Sequence, residues 1–254
     1  MMRHALSHNW TLNNKAHLTL SVGIWTDLMN HISTNLSGHL AEISLYRPVP
    51  AKTLSASVMS WPKRLFDLVA AGLGLVFLAP FLLTIAILIK MTSPGPVIFA
   101  QTRTGLGGKA FKIYKFRTMT TLEDGDCVIQ ACRNDQRITA LGNFLRRSSL
   151  DELPQLWNVL RGEMSIVGPR PHAVAHDHYY GALLSDYRER FRAKPGITGL
   201  AQCSGSRGPT ETLDKMRRRI RLDLDYIENW SLGMEMRILF KTAKLVIMGD
   251  SCAF

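Results

Sequence analysis

Cysteine and acidic residues are both scarce in this 254-residue chain, and their scarcity excludes several classes of protein. The four cysteines, Cys127, Cys132, Cys203 and Cys252, include no CxxC pair and no zinc-ligand spacing. A disulfide framework and a cysteine zinc site are therefore excluded, and the thiols are predicted to be free in a reducing compartment. The chain also has no signal-peptide pattern.

Lysine and arginine outnumber the acidic residues by 31 to 20, which gives a net charge of +11. This excess indicates an anionic partner: nucleic acid, anionic lipid head groups or a phosphorylated substrate. The basic run at residues 217–221 has no interleaved aromatic residues and no nucleic-acid-binding motif. Nucleic acid is therefore the least favoured of the three.

One long stretch has no charge at all: residues 68–89 are 22 consecutive uncharged and mostly apolar positions. As a helix they would extend roughly 33 Å, which matches a hydrocarbon core of about 30 Å. The stretch has no polar face, so a membrane helix is favoured over a buried soluble helix. Pro80 lies near its middle and predicts a kink, and basic residues flank both ends. From these residues alone, a spanning and a re-entrant helix both stay open.

The rest of the chain predicts short strands and helices around this segment. Two apolar or alternating runs, joined by a glycine-rich turn, predict a strand pair. Apolar residues at spacings of three and four predict an amphipathic helix, and a basic stripe on the last helix suits a protein core or a lipid interface. The predicted elements are strands at residues 97–101 and 111–116 and helices at residues 150–160, 210–227 and 234–248.

Two regions follow from this pattern. Residues 1–60 are rich in His, Asn, Ser and Thr and predict a poorly ordered tail. Residues 61–254 predict one domain, with a membrane helix at about residues 64–92 and a globular part at about residues 93–254.

Asp151 and Glu152 form an adjacent acidic pair beside a predicted helix start. Ser149 and Glu152 have the spacing of a capping box, and Pro154 favours an early helical position. A helix N-terminus would also favour a bound phosphate. The residues alone favour a structural cap over a catalytic pair, because capping boxes are common.

Several basic residues are candidates for binding phosphate. Lys115 and Arg117 are two positions apart, so on a strand they would share a face. Arg170 stands between two prolines, which restrict its backbone and preorganise the guanidinium for bidentate contact. Arg207 lies in a glycine-flanked loop. Each of these cations, taken alone, is more simply interpreted as a solvated surface charge.

Two further groups carry weaker signals. His172, His176 and His178 lack an acidic or cysteine residue at matched spacing, so a metal site there is not favoured. Asp223 and Asp225 resemble the paired acids of metal-dependent glycosyltransferases. They fall within the predicted amphipathic helix, where they are expected to face water or the neighbouring basic run.

Taken in order, the charged, glycine and proline motifs of residues 62–254 resemble those of the bacterial sugar transferases, also called monotopic phosphoglycosyl transferases. They are KRLFD at residues 63–67, QTRTG at 101–105, KFRTM at 115–119, RIT at 137–139, LDELPQ at 150–155, RGEMSIVGPRP at 161–171, PGITG at 195–199 and NWS at 229–231. The fixed order of many motifs makes the resemblance far more specific than any one of them.

The resemblance implies an α+β fold that is mostly helical. Its membrane helix would be re-entrant with a break at Pro80, accompanied by a small β element and amphipathic interfacial helices. The active site would lie on the cytoplasmic face of the bacterial inner membrane, beside the lipid bilayer.

The resemblance also implies that Asp151 and Glu152 are the catalytic pair and Mg²⁺ ligands. Asp151 would attack the phosphate that bears the sugar, and Glu152 would bind metal or handle a proton. The implied substrate-phosphate ligands are Lys115, Arg117, Arg146, Arg147, Arg170 and Arg207.

The expected reaction moves hexose-1-phosphate, with glucose favoured, from a UDP-sugar donor to undecaprenyl phosphate, a polyprenyl phosphate acceptor, and releases UMP. It would be the first membrane step of exopolysaccharide synthesis. The alternatives are galactose-1-phosphate transfer within the same family, a metal-dependent glycosyltransferase that releases UDP, and a non-catalytic cationic scaffold. No nucleic acid partner is expected, and a homo-oligomer stays open.

Overall fold

Helices dominate the described part of the chain, and two small sheets complete it. The structure is a computed structural model and describes residues 54–55, 58–120, 135–208, 210 and 212–248. The predicted tail, residues 1–60, lies almost wholly outside them, as do Cys127, Cys132 and Cys252, and the predicted two-region division stays a prediction. Cys203 has a free thiol, as its sequence context predicted.

The elements alternate between short strands and helices after one long helix. The helices are α1 Trp61–Thr92, α2 Ala140–Ser148, α3 Gln155–Arg161, α4 Val174–Leu183, α5 Leu200–Cys203, α6 Leu213–Glu228 and α7 Leu232–Met248. The strands are β1 Ile98–Thr104, β2 Ala110–Phe116, β3 Ser165–Val167 and β4 Gly196–Thr198. Within the described ranges, three 3-10 segments lie at Leu106–Gly108, Leu150–Glu152 and Ser185–Arg192.

Helix α1 exposes apolar side chains on most of its surface. Phe77 is 77% exposed and Val76 71%, while the buried side chains are Lys63, Asp67, Ala71, Ile85 and Ile89. Among the described helices, α1 is the one long and apolar enough to cross a membrane. Such an exposed apolar surface suits a lipid environment and not water. Pro80 lies inside the helix, and the predicted break and re-entry there stay predictions.

Both ends of α1 are fixed to the globular part. At its start, Lys63 Nζ lies 3.3 Å from Asp67 Oδ1 and 3.0 Å from Glu235 Oε2 on α7. Arg64 donates to two carbonyl oxygens in the last turn of α3, those of Val159 and Leu160. These two cations, predicted as flanking charges, are therefore internal contacts of the fold.

At the other end, Arg117 donates to the carbonyl oxygens of Ser93, at 2.7 Å, and Pro94, just beyond α1. Gly95 makes this close approach practicable. Its φ is +114°, a conformation that favours glycine, and a Cβ there would lie 2.1 Å from the Arg117 guanidinium. Arg117 thus fixes the exit of the chain from α1.

The two sheets hold the helices together. Strands β1 and β2 form an antiparallel hairpin in which Gln101 pairs with Ile113, and β3 and β4 pair in parallel. The hairpin confirms the predicted strand pair, although β1 extends to Thr104. One core cluster packs the first half of α1 on α3 and β2, and a second packs its later turns on α2. The predicted helix at residues 150–160 is instead a 3-10 turn followed by α3.

Candidate active site

Asp151 and Glu152 lie on the 3-10 turn between α2 and α3. Just before them, Ser149 has a left-handed backbone with a φ of 60°, and no other non-glycine residue in the described ranges has a positive φ. This conformation is uncommon for serine. The Ser149 hydroxyl accepts a hydrogen bond from Arg207 and makes no capping bond, so the capping-box interpretation is wrong. The turn buries both acidic residues.

Glu152 is held by two cations from different parts of the chain. Lys115 Nζ, on β2, donates to Oε1 at 2.7 Å, and the two terminal nitrogens of Arg170 reach both carboxylate oxygens. Burial alone would raise the pKa of Glu152, but the charges of Arg170 and Lys115 outweigh it and hold this pKa well below its usual range. Glu152 is therefore an ionised carboxylate in a fixed orientation.

Asp151 has the opposite surroundings. None of the residues that the structure describes donates a hydrogen bond to its carboxyl group, although Asp151 as a whole residue is only 9% exposed. Burial, followed by the charge of Glu152, raises the pKa of Asp151 to about 6, against the opposing charges of Lys115, Arg146 and Arg170. At neutral pH this carboxylate is mostly ionised with unpartnered oxygen atoms, which is what a nucleophile requires.

The structure places the remaining predicted phosphate ligands at different distances from the pair. Arg146, in the last turn of α2, is near enough for its charge to lower the pKa of Asp151. Arg147 follows it and is exposed. Arg207 reaches the turn itself through Ser149. Arg117 is engaged at the end of α1, so the structure does not bring it to the pair.

Strand β1 brings to the site two residues that had no predicted role, Gln101 and Arg103. The hairpin register places both on the face that carries Lys115. The Arg103 guanidinium donates to the side-chain oxygen of Gln101, and burial, followed by the charge of Arg170, lowers its pKa to about 10. Their two-residue spacing in QTRTG was the available signal for a shared face.

The acids of the alternative glycosyltransferase reading do not form a metal site. Asp223 is buried, and its Oδ2 accepts a hydrogen bond from Arg190 Nε at 2.7 Å, so the expectation that it faces water or the basic run is wrong. Asp225 accepts a hydrogen bond from the Asn229 side chain. Within the described ranges, no three His, Cys, Asp or Glu residues are arranged to hold a metal ion.

The acidic pair fits a Mg²⁺ ion whose ligand shell is completed by substrate. Mg²⁺ is usually bound by one or two carboxylates together with substrate phosphates. Asp151 has unpartnered oxygen atoms for this purpose, whereas both oxygens of Glu152 already accept hydrogen bonds from cations. Asp151 and Glu152 would thus hold the ion only in company with a diphosphate.

Comparison with known proteins gives consistent matches to this part of the chain. A family model described as bacterial sugar transferase matches residues 58–249. The chain is 52% identical over 202 residues to the UDP-glucose:undecaprenyl-phosphate glucose-1-phosphate transferase of Caulobacter vibrioides, covering 80% of this chain and 76% of that protein.

Two further relatives differ in length. A protein of the same name from Klebsiella pneumoniae is 54% identical over 180 residues, which cover 71% of this chain but only 39% of that protein. The exopolysaccharide production protein PSS of Rhizobium leguminosarum is 53% identical over 184 residues, 71% of this chain and 92% of that protein. The match thus spans nearly all of one relative and well under half of another.

Proposed function

Since the chain belongs to the bacterial sugar transferase family, we propose that it is a phosphoglycosyl transferase that moves hexose-1-phosphate, with glucose favoured, from a UDP-sugar to undecaprenyl phosphate. The names of relatives more than 50% identical to it support this activity. The observation that carries the proposal is the contrast within the acidic pair. Among the described residues none donates a hydrogen bond to the oxygen atoms of Asp151, whereas Lys115 and Arg170 fix Glu152.

In the first step, an oxygen of the Asp151 carboxylate attacks the phosphorus that bears the sugar. A new oxygen–phosphorus bond forms as the bond to the leaving phosphate breaks, and UMP departs with that electron pair. The product is an acyl phosphate that links Asp151 to the sugar. Covalent catalysis of this kind divides one difficult transfer into two easier ones.

In the second step, a phosphate oxygen of undecaprenyl phosphate attacks the same phosphorus atom. The bond to Asp151 breaks, its carboxylate is regenerated, and the sugar leaves on a lipid diphosphate. Glu152 takes no proton in either step, because its low pKa keeps it ionised. Of the two roles expected for Glu152, proton handling is therefore disfavoured.

Cations around the pair make attack by an anion on an anion practicable. Lys115 and Arg170 both form ion pairs with Glu152. The charge of Arg146 acts directly on Asp151. Fixed positive groups in a water-poor site stabilise charge that develops on the transferred phosphate. A Mg²⁺ bound with the diphosphate would supply further neutralisation of its charge. The positions of Arg103 and Arg207 suit the same task.

The acceptor's long polyprenyl chain requires a site beside lipid. The exposed apolar surface of α1 supports a location at the bacterial inner membrane, with the catalytic part on the cytoplasmic face where UDP-sugars are made. We place the transfer at the start of exopolysaccharide synthesis, in line with the name of the Rhizobium relative. Galactose-1-phosphate transfer is the second candidate within the family.

The nucleotide product is the direct test. Purified chain supplied with undecaprenyl phosphate should release UMP from UDP-glucose, faster than from UDP-galactose, and Asp151→Asn should reduce this release by at least about 10³-fold. Glu228→Gln, an exposed acidic residue on α6, is the matched control and should keep the full rate. UDP as the product would indicate a conventional glycosyltransferase, and no turnover with any UDP-sugar would indicate a scaffold.

A further inference from the structure

Two buried arginines lie behind the acidic pair on elements that are distant in sequence. Arg190 belongs to the 3-10 segment Ser185–Arg192 and Arg219 to α6, and both are less than a tenth exposed. The imidazole of His172 lies between them, with Nδ1 3.2 Å from Arg190 Nη1 and Nε2 3.3 Å from Arg219 Nη1. Each arginine also binds a backbone segment that carries an active-site cation.

Arg190 binds the backbone of Arg170. Its Nη2 donates to the Arg170 carbonyl oxygen at 2.7 Å, while its Nε donates to Asp223 at 2.7 Å. Arg170 is the residue whose side chain grips Glu152. Because proline precedes and follows Arg170, its backbone has few alternative conformations. This one contact to its carbonyl group therefore helps to hold the backbone from which the Arg170 side chain extends to Glu152.

Arg219 binds the loop that carries Arg207. Its Nε donates to the carbonyl oxygen of Ser206 at 3.0 Å, and its Nη2 donates to that of Gly208 at 2.6 Å. These two residues flank Arg207, whose own guanidinium donates to Ser149 at the start of the catalytic turn. A loop with glycine on either side would otherwise have wide conformational freedom.

His172 links the two arginines as a neutral ring. Burial, followed by the charges of Arg190 and Arg219, lowers the pKa of His172 well below its usual value. The Tyr187 hydroxyl donates its proton to Asp177, so it accepts from His172 Nδ1. This assignment, made from the hydrogen-bond network, leaves His172 Nε2 to accept from Arg219. In this tautomer the 3.2 Å approach of Arg190 Nη1 to the protonated Nδ1 is a close contact between two donors and not a hydrogen bond.

A contribution to the stability of the fold does not by itself explain why Arg190 and Arg219 are buried arginines. Burying charged groups is costly, and well-packed apolar residues are often as stabilising or more so. We propose that Arg190 and Arg219 are positioning residues for the transfer. They fix the backbones of Arg170 and Arg207 and so hold these two cations against the acidic pair. The inference rests on the proposed function, because its effect is measured on phosphosugar transfer.

A double-mutant cycle tests this role. Arg190→Gln should lower the single-turnover rate of UMP release from radiolabelled UDP-glucose by about 10- to 100-fold, because small displacements in an active site have effects of this size. If Arg190 acts through Arg170, the same substitution in an Arg170→Ala background should lower the rate by no more than about 2-fold. Arg219→Gln with Arg207→Ala forms the second cycle, with the same expectation.

Matched controls come from the same elements. Arg192→Gln changes a partly exposed arginine two residues from Arg190, and Arg217→Gln an exposed one two residues from Arg219. Both variants should stay within about 2-fold of the parent rate. Arg190→Lys keeps a buried charge for Asp223 but cannot keep all three contacts, so it provides a folded variant if Arg190→Gln unfolds. Unfolding temperatures are measured for every variant.

A second readout covers variants with little turnover. UDP-glucose should raise the unfolding temperature of the full chain, since a ligand stabilises the state that binds it. Arg190→Gln and Arg170→Ala should each reduce this rise, and the double variant should reduce it no further. Additive losses in either readout would overturn the positioning role. If the parent chain releases no UMP from UDP-glucose, the proposed function itself is wrong, whereas UMP release by the parent chain together with additive losses confines the failure to this inference.

Discussion

The carboxyl groups of Asp151 and Glu152 are neighbours in the chain, but two cations reach only one of them. Lys115 and Arg170 both donate to Glu152, which makes that group a stronger acid. Burial, together with the resulting fixed negative charge, raises the pKa of its neighbour Asp151 and makes it a weaker acid. Environments that separate the pKa values of two adjacent carboxyl groups assign them different roles. Here Glu152 provides a fixed negative charge, and Asp151 provides the lone pairs that can attack.

This contrast predicts an acid limb in the first half-reaction. Asp151 must be ionised to attack, and its pKa of about 6 lies above that of an ordinary aspartate. The rate of UMP release should therefore fall as the pH is lowered through about 6, to about a tenth at pH 5. We would measure the burst of UMP before acceptor is added, because the acceptor's own phosphate titrates in this range. A burst rate unchanged down to pH 4.5 contradicts the assignment.

Glu152→Gln should affect both rate and stability. It removes the charge that pairs with Lys115 and Arg170, and release of UMP should fall by about 10²-fold or more. The melting temperature should also fall. The loss should be smaller than the roughly 3–5 kcal/mol seen when a fully buried pair loses one partner, because Lys115 and Arg170 are 19% and 24% exposed. Parent-like turnover in this variant is the result that contradicts the account.

At the scale of single residues, the sequence pointed to the acidic pair and to two cations beside it, but not to the buried arginine behind them. Motif order pointed to Asp151 and Glu152, and the same reasoning named Lys115 and Arg170 as cations. Nothing local distinguished Arg190 from any other arginine in a charged segment, because its role depends on a contact 20 residues away in the chain. Asp223 was expected to face water or the neighbouring basic run for the same reason: its partner Arg190 is visible only in the fold.

At the scale of elements, the attachment of α1 depends on Lys63. Lys63→Ala would leave Asp67 and Glu235 buried without their cation, which typically costs about 3–5 kcal/mol. We expect a large drop in the unfolding temperature of the detergent-solubilised chain. Arg217→Ala breaks an exposed pair and should change stability by no more than about 0.5 kcal/mol. Equal, small effects of the two substitutions are incompatible with this anchor.

Periodicity predicted the elements well where the chain is regular. The hairpin and α6 match their predicted ranges closely, because alternation and a three-to-four spacing report directly on which side is buried. The segment at residues 150–160 is different. The left-handed Ser149 ends α2 before this segment, and the proline at residue 154 separates its short turn from α3. Such a turn has no periodic signature. The acidic pair lies in the part that periodicity could not describe.

At the scale of the whole molecule, the route of α1 through the bilayer decides which side the termini face. We predict a re-entrant helix, so both termini lie on the cytoplasmic side. With native cysteines replaced, single cysteines at Lys15 and at the 87%-exposed side chain of Asp214 should both resist a membrane-impermeant maleimide in intact cells. Both should react once the cells are permeabilised. Labelling of Lys15→Cys alone in intact cells would indicate a spanning helix.

The central claim is that Asp151 carries the sugar phosphate between donor and acceptor, and intact-protein mass spectrometry tests it most directly. The chain is incubated with UDP-glucose and Mg²⁺ without acceptor, quenched and weighed. We predict a mass increase equal to one hexose phosphate minus water, located on the peptide that contains Asp151, absent in Asp151→Asn and lost when undecaprenyl phosphate is added. Release of UMP by the parent chain with no such adduct, or with an adduct on another residue, contradicts the account.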